Sequence, residues 1–201
     1  MSCAVIKMPM TQKHWKLVQR LTTATLLVGG VFLLSQGFYM DAKAKLAQVL
    51  IESSWQQRAA GSPPPKPWWW ADTQVIAKLD VPRLNKELYV MQDDSGESLA
   101  FGPGHMNASA LINSDSHVMI AGHRDSHFEF LRDIKIGDEI STTKYNASNK
   151  RYKVEDIYVI DSSKYDLQLY NNEQLTLITC YPFDDFIPGG PLRLVVDATP
   201  I

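Results

Sequence analysis

Residues 175–196 read LTLITC, then YPFDDFIPGG, then PLRLVV. Two apolar runs rich in β-branched residues flank a ten-residue segment crowded with Pro, Gly and Asp, the pattern of two antiparallel strands joined by a loop. In such a pair the end of the first strand and the start of the second are neighbours, so Cys180 and Arg193 are expected side by side. Working outward, the same short runs recur as candidate strands at Val75–Val81, Leu88–Gln92, His117–Gly122, Glu139–Tyr145, Tyr152–Ile160, Leu175–Cys180 and Leu192–Asp197. Ser95–Ala100 and His127–Ile134 read as short helical turns. Seven or eight strands from Asp72 onward predict a mainly β domain, barrel or sandwich.

Upstream the pattern is different. Leu21–Met40 (LTTATLLVGGVFLLSQGFYM) is uncharged over 20 residues, and as a helix it would span about 30 Å, the thickness of a bilayer's hydrocarbon core. Lys7, Lys13, Lys16 and Arg20 precede it without an acidic residue, which predicts a cytoplasmic amino terminus. A cleaved signal peptide ending near Ala42-Lys43-Ala44 and a buried core helix are the alternative readings. Residues 42–60 (AKAKLAQVLIESSWQQRAA) extend the helical pattern as a stalk, and Gly61–Pro67 breaks it into an extended linker. Trp68, Trp69 and Trp70 follow, either packing on the next domain or anchoring at a membrane interface.

The composition, 45% hydrophobic and 21% charged over 201 residues, fits one folded domain with appendages. A net charge of −2 excludes a basic nucleic-acid binder. That total hides an asymmetry: residues 1–71 hold 8 Lys+Arg and 2 Asp+Glu, whereas residues 72–201 hold 12 and 20. Two cysteines, Cys3 and Cys180, exclude a disulfide scaffold and a multi-thiolate zinc site. With a membrane span between them they cannot pair within one molecule, which leaves Cys180 a free thiol in an oxidising compartment.

A free Cys180 is either a small packed hydrophobe or a nucleophile. A neighbouring Arg193 can favour a thiolate and donate to a carbonyl oxygen gaining charge, or it is a surface charge on an edge strand. His123 ends a candidate strand at a Gly-His-Arg-Asp turn, where side chains face active-site mouths. His105, in Gly102-Pro103-Gly104-His105, reads as a structural turn residue. His117, His123, Asp125 and His127 have a generic spacing that a zinc ion could also use.

Ala121-Gly122-His123-Arg124-Asp125, Thr176-Leu177-Ile178-Thr179-Cys180 and Pro191-Leu192-Arg193, in that order behind an apolar amino-terminal run, resemble a sortase over essentially residues 72–197. Lys45–Leu50 (KLAQVL), Pro67–Asp72 (PWWWAD) and Thr179–Phe183 (TCYPF) are most similar to the sortases of Gram-negative, often marine, proteobacteria. Asn113-Ser114-Asp115-Ser116-His117 departs from the Gly-Asn type turn that relatives often carry at the lip of the groove.

The resemblance implies a closed eight-stranded β-barrel with short helices, preceded by a transmembrane helix and stalk. The expected segments are a basic leader at 1–20, a signal anchor at 21–40, a stalk at 41–60, a Pro/Trp-rich linker at 61–71 and a catalytic domain at 72–201. It also implies a thiol transpeptidase of the hydrolase class, with Cys180 as nucleophile, His123 as acid and base, and Arg193 as substrate and oxyanion ligand. Expected partners are a secreted protein ending in a Leu-Pro-X-Thr-Gly-like (LPXTG-like) sorting signal, an amine acceptor, and the lipid bilayer through residues 21–40; no cofactor, metal or nucleic acid is implied. The expected location is the inner membrane, single-pass, with the catalytic domain periplasmic. The alternatives are another cysteine hydrolase, disfavoured because papain-like nucleophiles start a helix, and a tethered β-barrel that binds peptide with an inert Cys180.

Overall fold

Alternation of apolar and polar residues puts one face of a strand inside. In the computed structural model, which describes residues 12–59, 61–185 and 189–201, β1 (Val75–Val81) buries every second side chain. β2 (Lys86–Met91), β3 (Gly104–His105), β4 (His117–Gly122), β5 (Glu139–Lys144), β6 (Asn149–Asp161), β7 (Gln174–Cys180) and β8 (Leu192–Pro200) complete a closed barrel in the order β1-β2-β3-β4-β7-β8-β6-β5. Leu79, Val90, Ile120, Ile140, Tyr152, Val154, Leu175, Leu177 and Val196 fill its interior with Phe128 and Leu131 from the segment after β4. Each aliphatic side chain buried this way contributes about 1.5–3 kcal/mol.

Pairing around the barrel is antiparallel apart from β2–β3 and β4–β7, which are parallel. The expected turn at Gly102–His105 is in part a strand: β3 pairs with Met91 on one side and with Ala121 and Ile120 on the other. Gly104 passes so close to Asp93 that a Cβ would lie 2.2 Å from its carbonyl oxygen, so only glycine fits there. The buried His105 ring lies 2.8 Å from the Ala110 carbonyl oxygen.

α1 (Gln12–Gln56) is a continuous helix, and the chain divides within it into units 1–46 and 47–201. Cys3, Lys7 and the rest of the leader before Gln12 lie outside the described residues. In the first unit Leu26, Val28, Phe32, Leu33 and Phe38 are exposed, and the helix is long and apolar enough to cross a bilayer. In the second unit Ala47, Ile51 and Trp55, spaced by one helical turn, are buried. Ile51 and Trp55 pack with Val75 and Met91 at one end of the barrel, and Gln48 Nε2 donates to the Phe101 carbonyl at 2.8 Å. Phe101 closes the short helix α2 (Gly96–Phe101), which Ser95 caps by accepting from the Ser98 amide.

One ion pair stitches the barrel's outer wall. Arg83 holds both carboxylate oxygens of buried Asp138, the second at 2.6 Å, and the Lys135 amide donates to that same oxygen at 2.7 Å. These contacts, Arg83 foremost, hold the Asp138 carboxyl below the usual carboxylate range. A lowered folded-state pKa means stability that is present above the unfolded pKa and lost as pH falls through the folded one. Asp138→Asn is therefore expected to destabilise the domain by about 1.5–3 kcal/mol at neutral pH. The gap from wild type should narrow as pH falls below the ordinary aspartate range and the native carboxyl protonates. Urea unfolding of both proteins from neutral pH into acid checks this; a gap that persists unchanged however far the pH is lowered would refute it.

Candidate active site

β7 and β8 run antiparallel with Cys180 directly opposite Arg193. Directly opposed residues share a face, and it is the outer one, because Leu175, Leu177, Leu194 and Val196 take the inner positions. β4 lies on the other side of β7, in parallel register through Gly122↔Thr179. One step further along, that register brings His123 alongside Cys180. Thr179 Oγ1 donates to the Gly122 carbonyl at 2.8 Å and ties the two strand ends together. Gly122 has no room for a side chain: a Cβ would sit 2.7 Å from the Phe128 ring, which plugs the barrel beneath His123. The three residues singled out by sequence thus meet at one end of adjacent strands, on the face where β4 and β7 are covered on both sides.

Cys180 is a free, half-buried thiol and His123 is exposed. β8 lies between β7 and β6, so Arg193 is not on an edge strand. Its Nη1 donates to the carbonyls of Gly190 at 2.5 Å and Leu192 at 2.8 Å. Among the described residues Nε and Nη2 have no hydrogen-bond partner, which leaves two donors for an incoming carbonyl oxygen.

The zinc reading of the histidines does not hold. His117 and His123 lie at opposite ends of β4, roughly 20 Å apart at the usual strand rise, and among the described residues no three His, Cys, Asp or Glu side chains converge on a point that could hold a metal. His117 is instead a buried neutral ring. The Tyr170 amide donates to its Nδ1 at 3.1 Å, so Nε2 carries the proton and donates to Thr176 Oγ1 at 2.7 Å. Thr176 in turn donates to Asp197 Oδ1 at 2.5 Å, and Tyr158 to Oδ2 at 3.1 Å. Burial holds the His117 pKa below its ordinary value against the pull of Asp197. This network fastens the segment between β6 and β7 to the same outer face that carries Cys180.

Two arginines that the sequence did not single out join the loops of the site. Arg124, next to His123, donates from Nη1 to the Pro182 carbonyl and from Nη2 to the Asp185 carbonyl, each at 2.6 Å. Arg132 pairs with Asp184 at 2.7 Å and lies over the Phe183 ring at 5.2 Å. The loop carrying His123 and the loop following Cys180 are therefore tethered directly to each other. Nothing in local sequence periodicity marks such a contact, since the Arg124–Pro182 bond closes a separation of 58 residues.

Residues 79–201 match the sortase domain family, and the chain belongs to that family. It is 26% identical over 121 residues to sortase D of Bacillus subtilis (strain 168); the match covers 59% of this chain and 60% of that protein, less than two thirds of its length. Sortase C1 of Streptococcus agalactiae shares 27% identity with a TM-score of 0.55, over 63% of this chain and 67% of that one. The sortase D5 of Clostridium perfringens, at 19% identity, is alike in fold, with a TM-score of 0.62 over 78% of this chain and 99% of that one.

Proposed function

We propose that this protein is a membrane-anchored cysteine transpeptidase that cleaves a C-terminal LPXTG-like sorting signal and transfers the new carboxyl end to an amine. The direct cross-strand pairing of Cys180 with Arg193, with His123 alongside, is the observation that carries the reading. In this mechanism the Cys180 thiolate adds to the threonine carbonyl of the Thr-Gly bond, and Arg193 donates to the resulting oxyanion. The C–N bond breaks as His123 gives its proton to the leaving amine, and a thioester remains on Cys180. An incoming amine then attacks the thioester, surrenders a proton to His123 and expels the thiolate. With water in place of the amine the same steps become hydrolysis.

Segment 21–40 is proposed as the signal anchor, with residues 1–20 cytoplasmic, 41–60 the stalk, 61–71 the linker and 72–201 the periplasmic catalytic domain. The basic leader and the apolar helix support that orientation. Kinship with the Gram-negative proteobacterial sortases rests on the KLAQVL, PWWWAD and TCYPF stretches. The test is mass spectrometry of the full chain mixed with an LPXTG peptide. A peptide acyl group on Cys180 that disappears when an amine is added is the expected result; an unmodified Cys180 during turnover would refute the mechanism. Protease added to spheroplasts should digest residues 72–201, and full protection would reverse the orientation.

A further inference from the structure

The chain between β6 and β7 has a long way to travel. β6 ends with Ile160 opposite Arg193 and Asp161 opposite Leu192, at the end of the sheet that carries Cys180. β7 begins at Gln174, opposite His117 and at the other end of the strand from Cys180, roughly 20 Å away at the usual strand rise. Residues 162–173 bridge that distance. His117 and Met119 face outward, because Val118 and Ile120 point into the barrel. Both are nevertheless buried, as are the outward residues Gln174, Thr176 and Ile178 of β7. A segment lying over this face accounts for burial that the sheet alone does not supply.

The crossing is fastened at few points. At its start the Ser162 amide and hydroxyl both donate to the Pro191 carbonyl, at 2.9 and 2.7 Å. At its end Glu173 pairs with Lys150 at 2.6 Å. From Asp166 to Asn172 one hydrogen bond is made among the described residues, from the Tyr170 amide to His117 Nδ1 at 3.1 Å. The Tyr170 ring stacks on the same imidazole, centroids 5.4 Å apart, while Tyr165, Leu169 and Tyr170 keep much of their surface in water. An exposed segment with a single tie along its middle opens more readily than the strands beneath it.

That tie depends on the protonation state of one atom. Nδ1 accepts from an amide only while it keeps its lone pair, and a proton there would set two donors face to face. Nε2 cannot take over, because it is spent on Thr176 Oγ1, whose own proton goes to Asp197. Burial disfavours a charged ring and prevails over the attraction of Asp197 on β8. β6 brings Tyr158, kept protonated by burial and by Asp197, and β7 brings the neutral Gln174 and Thr176. Asp115 and Glu173, close by along the chain, are both paired with Lys150. Because the tie needs the neutral ring, it is present above the ring's titration and lost as pH falls through it.

We propose that His117 is a positioning residue for the transpeptidation site: its neutral ring latches residues 162–173 over the face that carries Cys180 and Arg193, where the segment walls the bound peptide, and a proton on Nδ1 releases it. This rests on the reading of that face as the place where a sorting signal binds. Acid then loosens the grip on substrate before it touches the fold.

Hydrogen exchange of the full chain in detergent micelles tests the latch. It is read by mass spectrometry on peptides covering 162–173 and 174–180, from pH 7.5 downward, with intrinsic exchange rates corrected at each pH. Protection of the Tyr170 amide is expected to fall by about threefold to tenfold at a pH where β7 is still fully protected. In His117→Phe, which offers Tyr170 a ring but no acceptor, that protection should be missing at pH 7.5 already. The same variant should raise KM for an LPXTG peptide by about threefold to tenfold with kcat nearly unchanged. Protection of β7 in the same samples reports whether the barrel is intact, and the pH series on the parent needs no variant. Tyr170 protection that lasts until β7 itself opens would overturn the latch, and so would a His117→Phe protein that exchanges like the parent. A fall in kcat at constant KM would overturn the positioning role. Absence of an acyl-enzyme in the parent would overturn the transpeptidase reading and this substrate role with it, whereas the exchange result is independent of that reading.

Discussion

Cys180→Ala is expected to abolish transpeptidation, a loss on the order of a million-fold, because the thioester has no other atom on which to form. The barrel should remain folded. Cys180 is half-buried at the end of β7 and contributes a single sulfur to the packing, so its removal costs about 1 kcal/mol. Peptide ligation and urea unfolding measured on the same preparation separate chemistry from stability. An alanine variant that still joins an LPXTG peptide to an amine would show that the nucleophile lies elsewhere.

The second large effect is expected at Arg193. Lysine keeps the charge but loses the planar fork, and the structure shows why the fork matters: Nη1 is already committed to the carbonyls of Gly190 and Leu192. The guanidinium can hold its own loop and still offer Nε and Nη2 to a substrate oxygen, whereas a single ammonium cannot make both sets of contacts in fixed directions. Arg193→Lys should therefore lower turnover by about 10² to 10³, the scale of one lost oxyanion donor. The alkylation rate of Cys180 should change little, since the positive charge remains beside the thiol. Near-normal ligation by the lysine variant would reduce Arg193 to electrostatic background, and a large fall in alkylation with it would assign Arg193 to thiolate activation instead.

How much of this could be read from the sequence depended on whether the relevant contacts are local. The β7–β8 hairpin carries its own register, so the Cys180–Arg193 pairing followed from the loop and its flanks alone. The proximity of His123 to Cys180 depends on parallel pairing of β4 with β7, between residues 57 apart at the Thr179–Gly122 bond, and local periodicity holds no record of that. There the motif order supplied what spacing could not. β6 is longer than expected, Asn149–Asp161, because its added start, Asn149, Lys150 and Arg151, is polar throughout, even at Lys150, which stands on the face of Tyr152 and Val154. β3 was invisible as a strand: with two residues it has no period, and a glycine chosen for a close approach looks like a glycine chosen for a turn. Composition likewise cannot say which of the three adjacent tryptophans packs on the domain: it is Trp68, whose ring meets Phe101 edge-on with centroids 5.0 Å apart.

Arg124 grips the loop after Cys180 at the carbonyl oxygens of Pro182 and Asp185. Every residue type carries that oxygen, so the strap is indifferent to spelling. The hold on the loop after Cys180 is therefore made, at these two points, through main-chain atoms. The Arg132–Asp184 contact has no such freedom, because it reads a carboxylate. Of the two ties, one is made to backbone oxygens that every residue type carries and the other is broken by a single change at Asp184.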